Sequence, residues 1–169
     1  MIPRQLYAKA TELLDKYPIV ALTGPRQSGK TTLSRQLRPS YVYVNLELDE
    51  NKEFALNDPN RFLQKYQGGI ILDEVQNVPS LFPYLKHYTD ERGMSGEYIL
   101  TGSQQFLLLE KITQSLAGRV GLLQLLPLSF SELKSVDLSP PSPENAIIMG
   151  GYPRIYDKNI EPSDFYQAR

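Results

Sequence analysis

Apolar positions along the chain alternate between helical spacing and short uninterrupted runs. Helical spacing is clearest near the N-terminus, at Leu6, Ala10, Leu13, Leu14 and Tyr17, and predicts an amphipathic helix over residues 4–16. Short runs of apolar residues with strand-forming types predict strands at residues 18–23, 41–46, 69–73, 97–101 and 119–126.

Amphipathic or polar segments separate these strands and are expected to be helical. They comprise residues 32–37, residues 50–67 in two pieces broken near Asp58-Pro59, a helix that ends near Gly93, and residues 104–117. Repeated alternation of strand and helix favours a three-layer α/β/α sandwich around a parallel, five-stranded sheet. The Pro-rich stretch at 139–143 breaks the alternation and is interpreted as a loop or linker.

Composition narrows the classes of protein and of site. The net charge of −1 over 169 residues gives no support for extended nucleic-acid binding. Cysteine is absent, which excludes disulfides and thiolate metal sites, and a lone His87 makes a zinc site a poor interpretation. The longest apolar stretch, residues 120–130, is too short to span a bilayer. We therefore expect a cytoplasmic protein with no membrane partner.

The segment from Gly24 to Thr31 reads Gly-Pro-Arg-Gln-Ser-Gly-Lys-Thr, the complete G-x-x-x-x-G-K-[ST] phosphate-binding pattern. It lies between a predicted strand and a segment that can open a helix, which is the context of a nucleotide site. The expected nucleotide-binding residues are Gly24, Pro25, Arg26, Gln27, Ser28, Gly29, Lys30, Thr31 and Thr32. The glycines let the backbone curl around phosphates, Lys30 reaches the β- and γ-phosphates, and Thr31 offers a hydroxyl to Mg²⁺.

A second chemical element is the Asp73-Glu74 pair, which ends the third predicted strand. Asp73 is expected to hold Mg²⁺, directly or through water, opposite Thr31. Glu74 is then placed as the catalytic group that accepts a proton from, or orients, the water attacking the γ-phosphate. The alternative is a solvated acidic turn after a buried strand.

The end of the fourth strand supplies a third element, Leu100-Thr101-Gly102-Ser103. Ser103 is predicted to contact the γ-phosphate or the attacking water, with Thr101 as the second choice. A glycine-containing turn that caps the following helix is the alternative, and the two interpretations are compatible. Tyr41, Tyr43 and Tyr98 alternate along strands and are interpreted as core residues.

Five motifs occur in order: GPRQSGKTTL at 24–33, LDEVQ at 72–76, LTGS at 100–103, SLAGR at 115–119 and PLSFSE at 127–132. Together they resemble the AAA-type ATPases of bacteria and archaea that carry a C-terminal domain of unknown function. The resemblance implies an AAA-like P-loop NTPase fold with the loop strand central in the sheet, and ATP and Mg²⁺ as ligands.

The same resemblance implies a domain division. Residues 1–136 are expected to form the AAA-like ATP-binding domain, and residues 137–169 a linker and the start of a missing or truncated second domain. Family members continue past Tyr152-Pro153 into that second domain, so an unidentified protein or nucleic-acid partner would bind through the absent C-terminal half.

Two arginines have more than one interpretation. In the family an arginine recurs after Leu-Ala-Gly, so Arg119 is a candidate catalytic finger near the γ-phosphate. It would act within its own chain or from a neighbouring subunit, and the second case requires a homo-oligomer. The alternative is an arginine that opens a strand and pairs with an acidic neighbour. Arg26, inside the loop, is expected to face outward or to touch the edge of the nucleotide.

These residues leave three functions open. The first is ATP hydrolysis, with Lys30, Thr31 and Asp73 holding ATP·Mg²⁺ and Glu74 assisting water. The second is a nucleotide-dependent switch or scaffold that binds ATP with little turnover. The third is a small-molecule kinase, which the acidic pair and the lack of an Arg-rich lid disfavour. No residue marks a base-specific pocket, so the choice between ATP and GTP stays open.

Overall fold

A computed structural model describes residues 2–103, 110, 112 and 114–167. In this part of the chain five parallel strands form one sheet, in the order β2-β3-β4-β1-β5. They are β1 (Ile19–Gly24), β2 (Val42–Asn45), β3 (Ile70–Asp73), β4 (Tyr98–Ser103) and β5 (Val120–Gln124). Each predicted strand is confirmed. The loop strand β1 lies inside the sheet, between β4 and β5, one place from the middle strand β4.

Helices lie between successive strands, as the alternation predicts, and also precede the first strand and follow the last. They are α1 (Leu6–Lys16), α2 (Lys30–Leu37), α3 (Asp49–Asn57), α4 (Pro59–Lys65), α5 (Phe82–Arg92), α6 (Phe130–Lys134), α7 (Pro143–Met149), α8 (Pro153–Lys158) and α9 (Pro162–Gln167). The break near Asp58 is confirmed, because this residue ends α3 and its carboxylate caps α4 by accepting the Arg61 N–H. Of the helix predicted at 104–117, residues 110, 112, 114 and 115 are helical, and several of the others lie outside the described residues.

The sheet is buried on both faces. Ile19 and Ala21 of β1 point into one core cluster, which holds side chains of α3, α4 and α5. Val20 and Leu22 point into the other, which holds side chains of α1 and α2. All six residues of β1 are buried, as is typical of parallel strands covered by helices on either side. The three-layer fold class is therefore confirmed.

Strand register brings three polar residues to one edge of the sheet. Gly24 pairs with Ser103 across β1 and β4, and Asn45 pairs with Asp73 across β2 and β3. The fourth strand was predicted to end at residue 101 and ends two residues later, because pairing with β1 continues through Ser103. The carboxyl ends of the strands, where α/β sheets bind ligands, thus carry the residues that sequence analysis selected.

The C-terminal segment packs against the same part of the domain. Leu128 donates its N–H to the carbonyl of Gly151 at 2.6 Å, and Ile155 of α8 is buried. A Cβ at position 151 would lie 2.3 Å from the Leu128 carbonyl oxygen, so this contact requires glycine. The assignment of residues 137–169 to a linker and second domain stays a prediction. Among the described residues no helix is long and apolar enough to cross a bilayer.

Candidate active site

The phosphate loop turns sharply between β1 and α2. Gly24 has a φ of 149°, and a Cβ there would lie 2.1 Å from the carbonyl oxygen of Leu125. Gln27 and Gly29 also have positive φ, 62° and 96°. Turns of this kind direct successive N–H groups to the concave side of the loop and form an anion-binding nest. The N-terminus of α2 adds the positive end of a helix dipole to the same point.

Lys30 is held over the loop by the loop itself. Its Nζ donates to the carbonyl oxygens of Gly24 at 3.1 Å and Pro25 at 2.9 Å. Burial lowers the pKa of this ammonium, and the carboxylates of Glu74 and Asp73 act in the opposite direction. Since both hydrogen-bond acceptors are neutral, a phosphate oxygen would be a stronger partner for Lys30 than either carbonyl.

The carboxylate of Asp73 accepts hydrogen bonds from three hydroxyl groups. Thr31 Oγ1 donates to Oδ2 at 2.9 Å, and the Tyr43 hydroxyl donates to the same oxygen. Thr101 Oγ1 donates to Oδ1. With a residue exposure of 5%, Asp73 is fixed by these contacts at the carboxyl end of β3. The predicted juxtaposition of Thr31 and Asp73 is present.

Tyr43 packs against the core, as its position in a strand predicted, but its hydroxyl also has a polar role. It is half-buried on β2, an edge strand, and its hydroxyl reaches the end of β3. Burial and the bond to Asp73 raise the pKa of Tyr43, so the phenol stays a neutral donor. The guanidinium of Arg35 stacks over its ring at 3.9 Å. Alternation along the strand gave no sign of this polar role.

The paired oxygens of Thr31 and Asp73 suit a magnesium ion. Neighbouring ligands in an octahedral Mg²⁺ shell, each about 2.0–2.1 Å from the ion, lie about 2.9 Å apart. Thr31 Oγ1 and Asp73 Oδ2, which share a hydrogen bond at 2.9 Å, are close enough to be two such neighbouring ligands. No group of three or more His, Cys, Asp or Glu side chains forms a metal cluster in the described part of the chain. An ion held here would take its other ligands from phosphate and water.

Glu74 follows Asp73 in the left-handed backbone region, with φ 54° and ψ 47°. Such a conformation is uncommon for a residue other than glycine and occurs often at functional sites. Gln76 Nε2 donates both to Glu74 Oε2 and to Ser103 Oγ, the latter at 3.3 Å. Ser103 is thereby connected to Glu74 through a side chain that sequence analysis did not select. The sensing role predicted for Ser103 stays a prediction.

A cleft of about 630 Å³ opens over the loop, within the size range of small-molecule sites. Its lining comprises Arg26, Gln27, Gly29, Lys30, Thr31, Thr32, Glu47, Glu74, Pro153, Arg154, Asp157 and Lys158. The last four come from α8, which sequence analysis placed outside the ATP-binding domain. Arg154 and Lys158 therefore add positive charge to the site from a segment in which the sequence carries no phosphate-binding pattern.

Arg119 lies at the amino ends of the strands, opposite the cleft. It precedes β5, whose first residue, Val120, pairs with Ile19 at the start of β1. The five paired residues of β1 and β5, at about 3.3 Å per residue, separate Arg119 from the loop by about 16 Å along the strand. The structure thus does not bring Arg119 to the cleft of its own chain.

The guanidinium of Arg119 has a partner at this end of the sheet. Its Nε and Nη2 donate to the carboxylate of Asp90 at 2.5 and 2.9 Å. The Arg119 hydrogen bond holds the pKa of Asp90 below its usual value. This is the strand-opening, ion-paired arginine of the alternative interpretation, and action on a neighbouring subunit stays a prediction.

The sequence is similar to known proteins over most of its length. A family model described as "AAA domain" matches residues 16–134. An uncharacterized protein of Mycobacterium tuberculosis is 34% identical over 151 residues, which cover 89% of this chain and 33% of that protein. A protein of Mycobacterium bovis matches with the same values. The chain spans about a third of the length of these curated relatives.

Solved structures share the fold at lower identity. A Walker-type ATPase of Pyrococcus abyssi superposes with a TM-score of 0.61 and 17% identity, over 98% of this chain and 71% of that one. DnaA from Aquifex aeolicus, bound to AMPPCP, gives a TM-score of 0.56 and 16% identity, over 97% of this chain and 58% of that one. The fold is therefore that of P-loop ATPases.

Proposed function

The chain belongs to the AAA domain family, and from this premise we propose that it binds ATP with Mg²⁺ and hydrolyses ATP to drive a conformational change. The observation that carries the proposal is the convergence of Lys30, Thr31, Asp73 and Glu74 at one edge of the sheet. Lys30 supplies a cation for phosphate, and Thr31 and Asp73 supply a pair of oxygens for a metal. Glu74 adds a carboxylate beside both.

Binding begins with the loop. N–H groups of residues 26–30, which include the start of α2, receive the phosphates. Lys30 Nζ exchanges the carbonyls of Gly24 and Pro25 for β- and γ-phosphate oxygens. Thr31 and Asp73 would hold Mg²⁺, whose charge would offset that of the phosphates. The hydroxyls of Tyr43 and Thr101 keep Asp73 in place for that role.

Hydrolysis then needs a positioned water. Glu74 faces the cleft and accepts a proton as the water oxygen bonds to the γ-phosphorus, while the bond to the bridging oxygen breaks and ADP leaves. Gln76 holds one carboxylate oxygen of Glu74, which leaves the other oxygen for the water. DnaA of Aquifex aeolicus, which has a similar fold, is bound to AMPPCP, a nucleoside triphosphate analogue. This supports the choice of ligand.

A switch with little turnover is the second candidate. One observation favours it: α8 lines the cleft together with the phosphate loop, so a bound nucleotide would touch both the sheet domain and the C-terminal segment. A γ-phosphate in that position would order α8 against the loop, and its release would loosen that contact.

Phosphate release from ATP·Mg²⁺, measured beside ATP binding over a range of protein concentrations, separates these candidates. Turnover that disappears with EDTA supports hydrolysis. Tight ATP binding without phosphate release identifies the switch. Absence of ATP binding contradicts both.

Arg154→Ala is expected to weaken ATP binding about fivefold, because it removes one partly solvated cation from the cleft. Titration of ATP at low and high salt measures this loss, which should shrink as salt rises. Arg61→Ala removes an equally exposed arginine from α4, away from the cleft, and is the matched control. Equal effects of the two substitutions would exclude a nucleotide contact at Arg154.

Arg119→Ala is expected to leave ATP affinity within about twofold of wild type, because Arg119 lies at the amino ends of the strands, away from the cleft. Its exposed ion pair with Asp90 should also contribute little to stability. Turnover at increasing protein concentration tests its action in trans. Asp90→Asn is the control, since it breaks the same ion pair and keeps the guanidinium. A finger supplied by a neighbouring subunit would be identified by three results together. Turnover per molecule would rise with protein concentration, would be kept in Asp90→Asn, and would be lost in Arg119→Ala.

A further inference from the structure

Arg4 lies behind the phosphate loop and has no part in the hydrolysis proposed above. Its side chain is 8% exposed, and every nitrogen of its guanidinium has a partner. Nη1 donates to the carbonyl of Ser28 at 2.7 Å, Nη2 to the carbonyl of Leu126 at 2.6 Å, and Nε to Glu132 Oε1 at 3.1 Å. One side chain thus connects the loop, the segment after β5 and α6.

The Glu132 end of this connection is firmly anchored. Glu132 is 5% exposed and forms a capping box with Ser129, whose N–H donates to Oε2 at 2.8 Å. The N–H of Gln5 donates to Oε1 at 2.8 Å. Burial alone would raise the pKa of Glu132, but these backbone donors and the Arg4 guanidinium outweigh burial and hold it below its usual value. Glu132 therefore presents a fixed negative charge to Arg4.

The Ser28 end contacts the backbone of the phosphate loop. In a trans peptide the C=O of one residue and the N–H of the next are coplanar and point in opposite directions. Nη1 of Arg4 binds the Ser28 carbonyl from behind the loop, so the N–H of Gly29 is turned away from Arg4. A Cβ built on Gly29 would lie 3.4 Å from the same Nη1, which places the guanidinium directly against this peptide.

We propose that Arg4 is a positioning residue for phosphate binding, because it orients the Ser28-Gly29 peptide so that the Gly29 N–H faces the bound anion. The inference rests on the proposed nucleotide function. It differs from the roles of Lys30 and Thr31, since these two residues line the cleft and Arg4 does not. The link to Glu132 makes the orientation of this N–H depend on α6.

Arg4→Lys tests the proposal, because lysine keeps the positive charge and loses the planar fork that binds three partners. We expect about tenfold weaker binding of both ATP and inorganic pyrophosphate. Pyrophosphate has no base or ribose and therefore reports on the loop alone. Affinities are measured well below the melting temperature of each variant.

Arg92→Lys is the matched control. Arg92 forms a part-buried ion pair with Glu97 at the same 3.1 Å, at the amino edge of the sheet. We expect this variant to lose thermal stability without losing affinity for either probe. Equal loss of affinity in Arg4→Lys and Arg92→Lys would overturn the proposal, because it would reflect general loosening of the fold.

Remaining outcomes are also decisive. If the wild type binds ATP and Arg4→Lys binds it with unchanged affinity, the role of Arg4 is overturned and the proposed function stays intact. Wild-type protein that binds neither probe overturns both. If Arg4→Lys does not fold, Glu132→Gln decides: it removes the charge that fixes Arg4, so about threefold weaker pyrophosphate binding supports the proposal and unchanged binding overturns it.

Discussion

Glu74→Gln is expected to bind ATP as tightly as the wild type and to release phosphate at least about 100-fold more slowly. Glutamine has the size of glutamate, and its side-chain oxygen can still accept the Gln76 amide hydrogen bond. Glutamate and glutamine differ only at the end of the side chain, so the substitution keeps the left-handed backbone at position 74. What the amide loses is the ability to take a proton from water. Single-turnover phosphate release at saturating ATP·Mg²⁺ measures the effect.

Glu47→Gln is the matched control for this substitution. Glu47 is another carboxylate that lines the cleft, and it is exposed on the segment after β2. Neutralising it alters the charge of the cleft by the same amount, so loss of turnover confined to Glu74→Gln would assign the proton transfer to Glu74. Undiminished hydrolysis in Glu74→Gln would mean that the base has been misplaced.

The part of the site that sequence predicts best is the part made by contiguous residues. The loop pattern fixes its own geometry, because Gly24 and Gly29 have the backbone freedom that the turn requires and Lys30 opens the helix that follows. Asp73 and Glu74 were found for a similar reason, since a short apolar run ending in carboxylates marks the ligand-binding end of a parallel strand.

Arg119 shows what a motif alone leaves open. The sequence already held the relevant signal: Arg119 precedes a strand, whereas Gly24, Asp73 and Ser103 end theirs. In a parallel sheet those positions lie at opposite edges. The direction of each strand is therefore enough to separate Arg119 from the cleft of its own chain, and the order of the strands is not needed.

Tyr43, α8 and Arg4 belong to a different class, because their positions depend on contacts between distant parts of the chain. Tyr43 reaches Asp73 because β2 pairs with β3, and its strand pattern resembles that of any core tyrosine. Arg4 reaches Ser28 through packing of the N-terminal segment against α6. A local pattern carries no information on such pairings, so burial and hydrogen bonding in the folded chain were needed to find them.

Lys30→Ala is expected to weaken ATP binding by roughly 100-fold or more, because it removes a charge-assisted partner of two phosphate groups. In the ligand-free chain the same ammonium bonds only to neutral carbonyls of the loop, at 2.9 and 3.1 Å, and is partly desolvated. Its loss should therefore cost much less in stability without nucleotide than in nucleotide affinity. Thermal melting without ATP and an equilibrium titration with ATP measure the two quantities separately.

Lys158→Ala is the control for Lys30→Ala, since it removes an exposed ammonium from the α8 side of the same cleft. Screening by solvent should limit its effect to a few-fold change in affinity. A loss as large as that of Lys30→Ala would place the triphosphate nearer α8 than the loop. Unchanged ATP affinity in Lys30→Ala would rule out the phosphate loop as the nucleotide site, and with it the roles proposed for Thr31, Asp73 and Arg4, because each of them depends on phosphates bound at this loop.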